Sequence, residues 1–388
     1  MEGNYIKYCK RCITPETKPD FQINSNGLCA GCKSYDHRST VDWDKRKKEF
    51  LTIINKYKNK NGTNYDCIIP CSGGKDSTYQ TIKALEFGLN PLCITASTDM
   101  LSEIGRKNIE NIKKLGVDHM EVSTDPKLRR KINLFTLETI GDISWAEHVT
   151  IFTIPVKIAV AMSIPLIIWG ENASNEHGGP ADDSINNIFD RRRLEELGGI
   201  GSLRTSDLPD LMGLNEKKLI QYTYPSETEL KNAGIVGIFL GYYFSWDGKI
   251  NAEIASKHGF TTYHKNVEGS IVDYENLDNL QMRIHDYFKF LKYGFDRVTD
   301  WCSVYIRRGR MKREDAIIMA REKGGKYPEE YLGVKLNEIL KEIDCSKQKF
   351  DTLCDHFTNK KLFKLDPSRE LIRDNHNNLI KINYDNII

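Results

Sequence analysis

The 388-residue chain lacks a net charge of any size, with 56 Lys and Arg against 54 Asp and Glu. That balance disfavours broad nucleic-acid binding, which calls for a strongly basic face. It also lacks an uninterrupted apolar run of bilayer length. The longest candidate, VTIFTIPVKIAVAMSIPLIIWG, is broken by Pro155, Lys157 and Pro165. The opening MEGNYIKYCKRC has no apolar secretion-signal core. A soluble, cytoplasmic protein with no membrane span and no nucleic-acid partner is expected. At its glycine-rich turn the chain has neither G-x-x-x-x-G-K-[ST] nor G-x-G-x-x-G, which excludes the Walker and dinucleotide-binding phosphate loops there.

What stands at that turn is DCIIPCSGGKDSTYQ, Asp66 to Gln80. Cys67-Ile68-Ile69 reads as a buried strand, and STYQTIKALEFG as a helix. Ser72, Gly73, Gly74, Lys75, Asp76 and Ser77 therefore form a strand-to-helix turn. Glycines let backbone N–H groups approach a ligand, and the helix N-terminus adds partial positive charge. The combination makes a phosphate cradle.

Ten cysteines in a cytosolic chain point to metal binding or catalysis before disulfides. Cys9-x-x-Cys12 and Cys29-x-x-Cys32 are two knuckles separated by sixteen residues. That spacing predicts a tetrahedral zinc site, structural because four thiolates leave no open position. Cys67, Cys71 and Cys93 lie on or beside expected core strands and read as small buried hydrophobes.

Strands and helices then alternate: CIIPC, the loop helix, PLCITAST, SEIGRKNIENIKKLG, HMEVST, a helical stretch to about Ala161, and PLIIWG. The pattern predicts a doubly wound parallel sheet, with ligands outside the carboxyl ends of its strands. Three stretches fall at those ends: the cradle, Ser97–Met100 and Gly170–Pro180. In the last, Glu171, Asn172 and Glu176 are candidates for holding magnesium, orienting a sugar hydroxyl or accepting protons. Arg191, Arg192 and Arg193 can hold substrate phosphate or carboxylate, or simply form a solvated helix face beside Glu195 and Glu196. Lys289, Lys292, Arg297, Arg307, Arg308 and Arg310 cluster more densely than a plain helical face requires. Lys292 and Arg307 are the candidates for a second cationic element. The expected organisation is a zinc module over 1–40, a helical linker over 41–63, a nucleotide domain over 64–215, a mainly helical C-terminal region over 216–340 and a tail over 341–388.

The S-G-G-x-D-S turn resembles the PP-loop of the ATP pyrophosphatase superfamily, whose fold is the adenine nucleotide alpha hydrolase-like sheet. Those enzymes cleave ATP between its α- and β-phosphates and transfer AMP to a carbonyl-type oxygen. Taken together, CKRCITPETKPDFQINSNGLCAGC, CSGGKDSTYQ, WGEN, LKYGFDRVTDW and IRRGRMKREDAI resemble the N-acetyl sugar amidotransferase family, over most of residues 1 to about 330. That family serves lipopolysaccharide and pseudaminic or legionaminic acid biosynthesis. Asp296 departs from it, standing where glycine is expected. The resemblance implies adenylylation of an N-acetyl amide on a nucleotide-activated sugar, then displacement of AMP by ammonia to give an acetamidino group. It implies ATP held by Ser72–Ser77, Ser97, Lys292 and Arg307. It further implies magnesium at Asp76, catalytic roles for Lys75, Asp76 and Glu171, and substrate contacts from Asn172, Glu176 and Arg192. No glutaminase nucleophile is recognisable, so a separate glutaminase subunit is the expected ammonia source, with the zinc module as a docking surface. The rival enzyme is a tRNA thiolase, which requires a sulfur-carrying cysteine, Cys71 being the near candidate. A zinc-ribbon adaptor on a degenerate nucleotide fold is the non-enzyme rival.

Overall fold

The structure is a computed structural model that describes residues 6–59, 62, 64–172, 176, 178, 188–189, 191, 201 and 203–382. Its centre is a six-stranded sheet. The strands are β1 (Cys67–Pro70), β2 (Pro91–Ala96), β3 (Asp118–Val122), β4 (Leu166–Trp169), β5 (Ile188–Phe189) and β6 (Val236–Phe239). Their spatial order is β3-β2-β1-β4-β6-β5; all neighbours pair in parallel except β5, which is antiparallel to β6.

Strand periodicity explains the layering. Cys67 and Ile69 of β1, with Leu166 and Ile168 of β4, pack with Phe50 and Ile54 of α2 (Trp43–Tyr57), Tyr79 of α3 (Lys75–Glu86) and Ile112 of α4 (Glu103–Lys114). The alternate residues Ile68, Ile167 and Trp169 pack with Ile154, Val156 and Ala159 of α6 (Trp145–Met162). Alternate side chains of a strand leave opposite faces, so a sheet covered on both sides reads as a continuous apolar run. The doubly wound parallel sheet is thus present. Its winding reverses between β1 and β4, the position where such sheets open a crevice.

Three segments differ from the sequence expectation. The helix α6 runs unbroken for 18 residues through Pro155. It is long and apolar enough to cross a membrane by length and composition, but most of it is buried inside the protein. The fifth parallel strand, β6, comes from residues 236–239, beyond the boundary expected at 215. The segment 41–63 contributes more than a linker, since α2 buries Phe50 and Ile54 against the sheet.

The C-terminal region is mainly helical, with helices Met282–Tyr293, Arg297–Arg307, Arg313–Lys323 and Lys347–Phe357. Its core holds Tyr287, Phe288, Phe350 and Phe363, so Phe350 and Phe363 of the tail are structural. Asp296, the residue that stands in place of glycine, has an extended backbone at φ −137°. One carboxylate oxygen accepts from Val298 N (3.1 Å) and Thr299 N (3.4 Å), and the other from Gly325 N (2.8 Å). It caps one helix and ties it to the turn after another. We expect Asp296→Ala to lose roughly 2 kcal/mol of stability, because a cap is lost and buried N–H groups are left unpaired. A thermal or urea midpoint unchanged from wild type would remove that role.

The N-terminal module is fastened to these helices. Ile13 is buried with Val298, Cys302 and Ala316, and Thr14 Oγ1 donates to Ser303 Oγ at 3.2 Å. The face expected to receive a partner is, at Ile13 and Thr14, covered by the chain itself.

Candidate functional site

The loop after β1 reaches the crevice directly. Gly73 has φ +82°, and a Cβ there would sit 2.6 Å from Ile109 N, so backbone conformation and close approach to α4 both demand glycine. Gly74 caps α3. Its N–H donates to Ser72 Oγ at 3.3 Å, and Ser77 Oγ donates to Gly74 O at 3.1 Å. The first-turn amides of α3 have no partner within the helix, which makes this end a site for anionic groups.

Lys75 and Asp76 open the helix. Lys75 is only 4 % exposed. Its Nζ donates to Asp76 Oδ2 at 2.6 Å and to Glu275 Oε1. Burial opposes its charge, but Asp76, Glu275 and Glu171 outweigh that and hold it protonated. The other oxygen of Asp76 accepts from Asn251 Nδ2 at 3.1 Å. Glu275 and Asp278 come from a segment folded over the loop. That segment is stitched to the residues after β2 by Ser102 N to Asp278 O (2.8 Å) and Leu280 N to Met100 O (3.0 Å). Burial raises both carboxyl groups above the usual range, with Lys75 opposing it at Glu275.

Ser72–Ser77, Glu275 and Asp278 line a cavity of about 330 Å³ that also takes in Arg297, Glu147, His148 and His285. Arg297 is held by a bidentate pair with Asp286 at 2.8 and 3.1 Å. Beside the loop, Glu171 is pushed up to about 8 by burial and by Asp76 and Glu176, with Lys75 acting against them. Four carboxyl groups (Asp76, Glu171, Glu275 and Asp278) thus surround two cations, Lys75 and Arg297. Asp76 and its neighbouring carboxyl groups offer oxygen donors suited to divalent cations that accompany a polyphosphate.

The expected residues divide by where the fold puts them. Ser72, Gly73, Gly74, Lys75, Asp76 and Ser77 line the cavity, and Glu171 lies near enough to feel Asp76 and Lys75. Ser97 instead lines a separate hollow of about 250 Å³ with Asp99 and Arg129. Lys292 and Arg307 are not cavity residues. Lys292 Nζ donates to the carbonyls of Ile140 and Gly141, at the end of α5 (Pro126–Ile140), at 3.2 and 3.0 Å. Arg307 donates to Glu176 O at 2.6 Å and approaches Cys12 Sγ at 3.8 Å. Clustering in sequence did not reveal which acceptors these long side chains meet; Arg297 is the one that lines the cavity. Glu176 is also engaged: one oxygen pairs with Arg38 and the other with Arg308 at 2.6 Å. Asn172 is buried nearby. Arg191 is exposed, while Arg192, Arg193 and His177 lie outside the described residues. Sequence reasoning missed Glu275, Asp278 and Asn251, polar residues with no periodic signal and 175 or more positions from the loop they meet.

The second site is the cysteine cluster. The Sγ atoms of Cys9, Cys12, Cys29 and Cys32 lie within 4.8 Å of one another, all buried. Cys9–Cys32 and Cys12–Cys29 are 3.7 and 3.6 Å apart. Zinc–thiolate bonds of about 2.3 Å in a tetrahedron put sulfurs roughly 3.8 Å apart, so the donor set fits one such ion. Cys29 N donates to Cys9 Sγ at 3.3 Å, the amide-to-sulfur support that orients such ligands.

Residues 257–374 match a family model described as "LPS biosynthesis protein WbpG-like, C-terminal domain". An uncharacterized protein of Methanocaldococcus jannaschii is 32 % identical over 121 residues, which cover 30 % of this chain and 43 % of that protein. The chain therefore spans under half of that relative's length. Among solved structures, the NMN synthetase of Francisella tularensis aligns at a TM-score of 0.27 with 11 % identity, over 56 % of this chain and 96 % of that one. The NH3-dependent NAD synthetase of Campylobacter jejuni aligns at 0.28 with 13 % identity, over 56 % and 97 %.

Proposed function

We propose that the chain is an ATP-dependent amidotransferase of lipopolysaccharide-type sugar biosynthesis. It adenylylates the amide oxygen of an N-acetyl group on a nucleotide-activated sugar and replaces that oxygen with ammonia, giving an acetamidino group, AMP and pyrophosphate. The observation that carries the reading is the S-G-G-x-D-S loop at the β1/β4 crevice, with Lys75 and Asp76 at its helix start. The match of residues 257–374 to a lipopolysaccharide-biosynthesis family supports the sugar pathway.

The residues suit the chemistry. An amide oxygen is a poor leaving group, and bonding it to AMP makes it a good one. The loop amides, Lys75 and Arg297 stabilise the pyrophosphate as charge develops on it. Asp76 is the oxygen donor best placed for magnesium, which when bound neutralises the polyphosphate. Glu171 and Glu275 favour the delocalised amidinium cation of the product. The cysteine cluster holds a structural zinc.

Ammonia is supplied by a separate glutaminase. Cys302 is pushed up to about 12 by burial, and burial also raises Cys345 and Cys354, the reverse of what a thiolate nucleophile needs. The thiolase reading loses ground for a similar reason. Cys71 is buried, and its thiol is raised by a hydrogen bond with Cys93 and by burial, so it is a poor sulfur carrier.

The test is mass spectrometry of N-acetylated nucleotide sugars incubated with the chain, ATP, magnesium and ammonium. The product loses about one dalton as oxygen is exchanged for NH. Ammonium supports turnover and glutamine alone does not; glutamine hydrolysis by the purified chain at the rate of amidine formation would overturn the separate-glutaminase model.

A further inference from the structure

We propose that His285, oriented by Asp142, is the base that takes the proton from the attacking ammonia. This rests on the amidotransferase reading and extends it to a residue about 200 positions beyond the loop motif in sequence. His285 lies on the helix Met282–Tyr293 and lines the same cavity as Ser72–Ser77. Its Nδ1 lies 2.8 Å from Asp142 Oδ1, and that oxygen also accepts from Ser144 N at 2.9 Å. The buried carboxylate therefore fixes the Nδ1–H tautomer and leaves Nε2 as the proton acceptor. His148 packs edge-on against the ring with centroids 5.1 Å apart, which restricts its rotation.

Neighbouring groups are less suited. Glu147 lines the cavity, but its oxygens accept from Thr98 and from Asn279 Nδ2, the latter at 2.6 Å. Lys75 is protonated and paired with two carboxylates. Ile151, Phe260 and Met282, which also line the cavity, offer no group that could accept a proton. A bare tie between the α5–α6 turn and the helix would need no opening onto the cavity, whereas His285 has one.

The step balances. The O-adenylyl imidate keeps the original amide N–H and is therefore a cation; ammonia's lone pair forms a C–N bond to its carbon, and the C=N electron pair moves to the amide nitrogen, which becomes neutral. One proton of the new ammonium group passes to His285 Nε2. The C–O bond then breaks with its pair leaving on AMP, giving the amidinium, and His285 returns its proton to solvent.

The test separates the two half-reactions in the full chain. Adenylylation is read as substrate-dependent exchange of labelled pyrophosphate into ATP without ammonia, and transfer as amidine formation with ammonium, using a panel of N-acetylated nucleotide sugars. His285→Gln, which retains a hydrogen-bonding side chain, should keep exchange within a few-fold of wild type. It should lose amidine formation by roughly a hundredfold or more, the scale of general-base catalysis. Asp142→Asn should show the same split, because the wrong tautomer is then favoured. Loss of exchange and transfer together in both variants would assign the pair to substrate binding or folding and overturn the proposal, as would retention of both. Absence of exchange and amidine in the wild type with every sugar would instead overturn the amidotransferase reading itself.

Discussion

Asp76→Asn is expected to reduce AMP formation by roughly a hundred- to a thousandfold, the usual cost of removing one electrostatic contact made in the transition state. The substitution is nearly isosteric. Asp76 sits in the first turn of α3, with Asn251 Nδ2 on one oxygen and Lys75 Nζ on the other. Lys75 keeps Glu275 as a partner, so its buried charge is not orphaned by the change. The protein should therefore fold with little change in melting temperature while losing the oxygen donor proposed to bring magnesium to the polyphosphate. The measurement is the initial rate of AMP release at saturating sugar, ATP and ammonium, alongside a melting curve. Turnover within a few-fold of wild type would remove Asp76 from the mechanism. A collapse in melting temperature would make its role structural.

The second large effect concerns the cysteine cluster. Cys9→Ser should abolish bound zinc, from one ion per chain to none, and unfasten the N-terminal module. Structural zinc in small modules contributes on the order of 10 kcal/mol of apparent folding free energy. No disulfide is present to replace it, since all four cysteines are free. The loss should spread, because Arg38 of α1 (Ala30–Arg38) is one of two arginines on Glu176, and Lys18 Nζ donates to Gly178 O at 2.5 Å. Elemental analysis of protein purified without chelators gives the stoichiometry, and limited proteolysis within residues 6–38 reports the module. A variant with normal zinc content and protease resistance would refute the four-cysteine site.

Much of this was legible because it is local. The two C-x-x-C knuckles carry their own spacing. The turn Ser72–Ser77 joins an apolar run to a helix pattern within fifteen residues, and strand burial shows directly as CIIP and LIIW. What was illegible is carried by long polar side chains. Lys292 and Arg307 looked alike in a basic cluster, yet one caps a helix end and the other reaches a sulfur and a carbonyl. His285 and Asp142, 143 positions apart, meet only because the turn between α5 and α6 is brought against the helix Met282–Tyr293. Asp296 read as a departure in a glycine turn, and only the fold shows that three amides require its carboxylate.

Arg307 has one guanidinium nitrogen near Cys12 Sγ and another on the carbonyl of Glu176, five residues beyond Glu171. A single rigid group thus connects the cysteine cluster to the segment that borders the crevice. Wherever two binding events share such a strut, their free energies are reciprocal: whatever the metal contributes to ordering the crevice, a bound ligand returns to the metal. With zinc in the cluster, a ligand that orders the Glu176 end of this strut would tighten the metal as well, and an empty crevice would hold it less firmly.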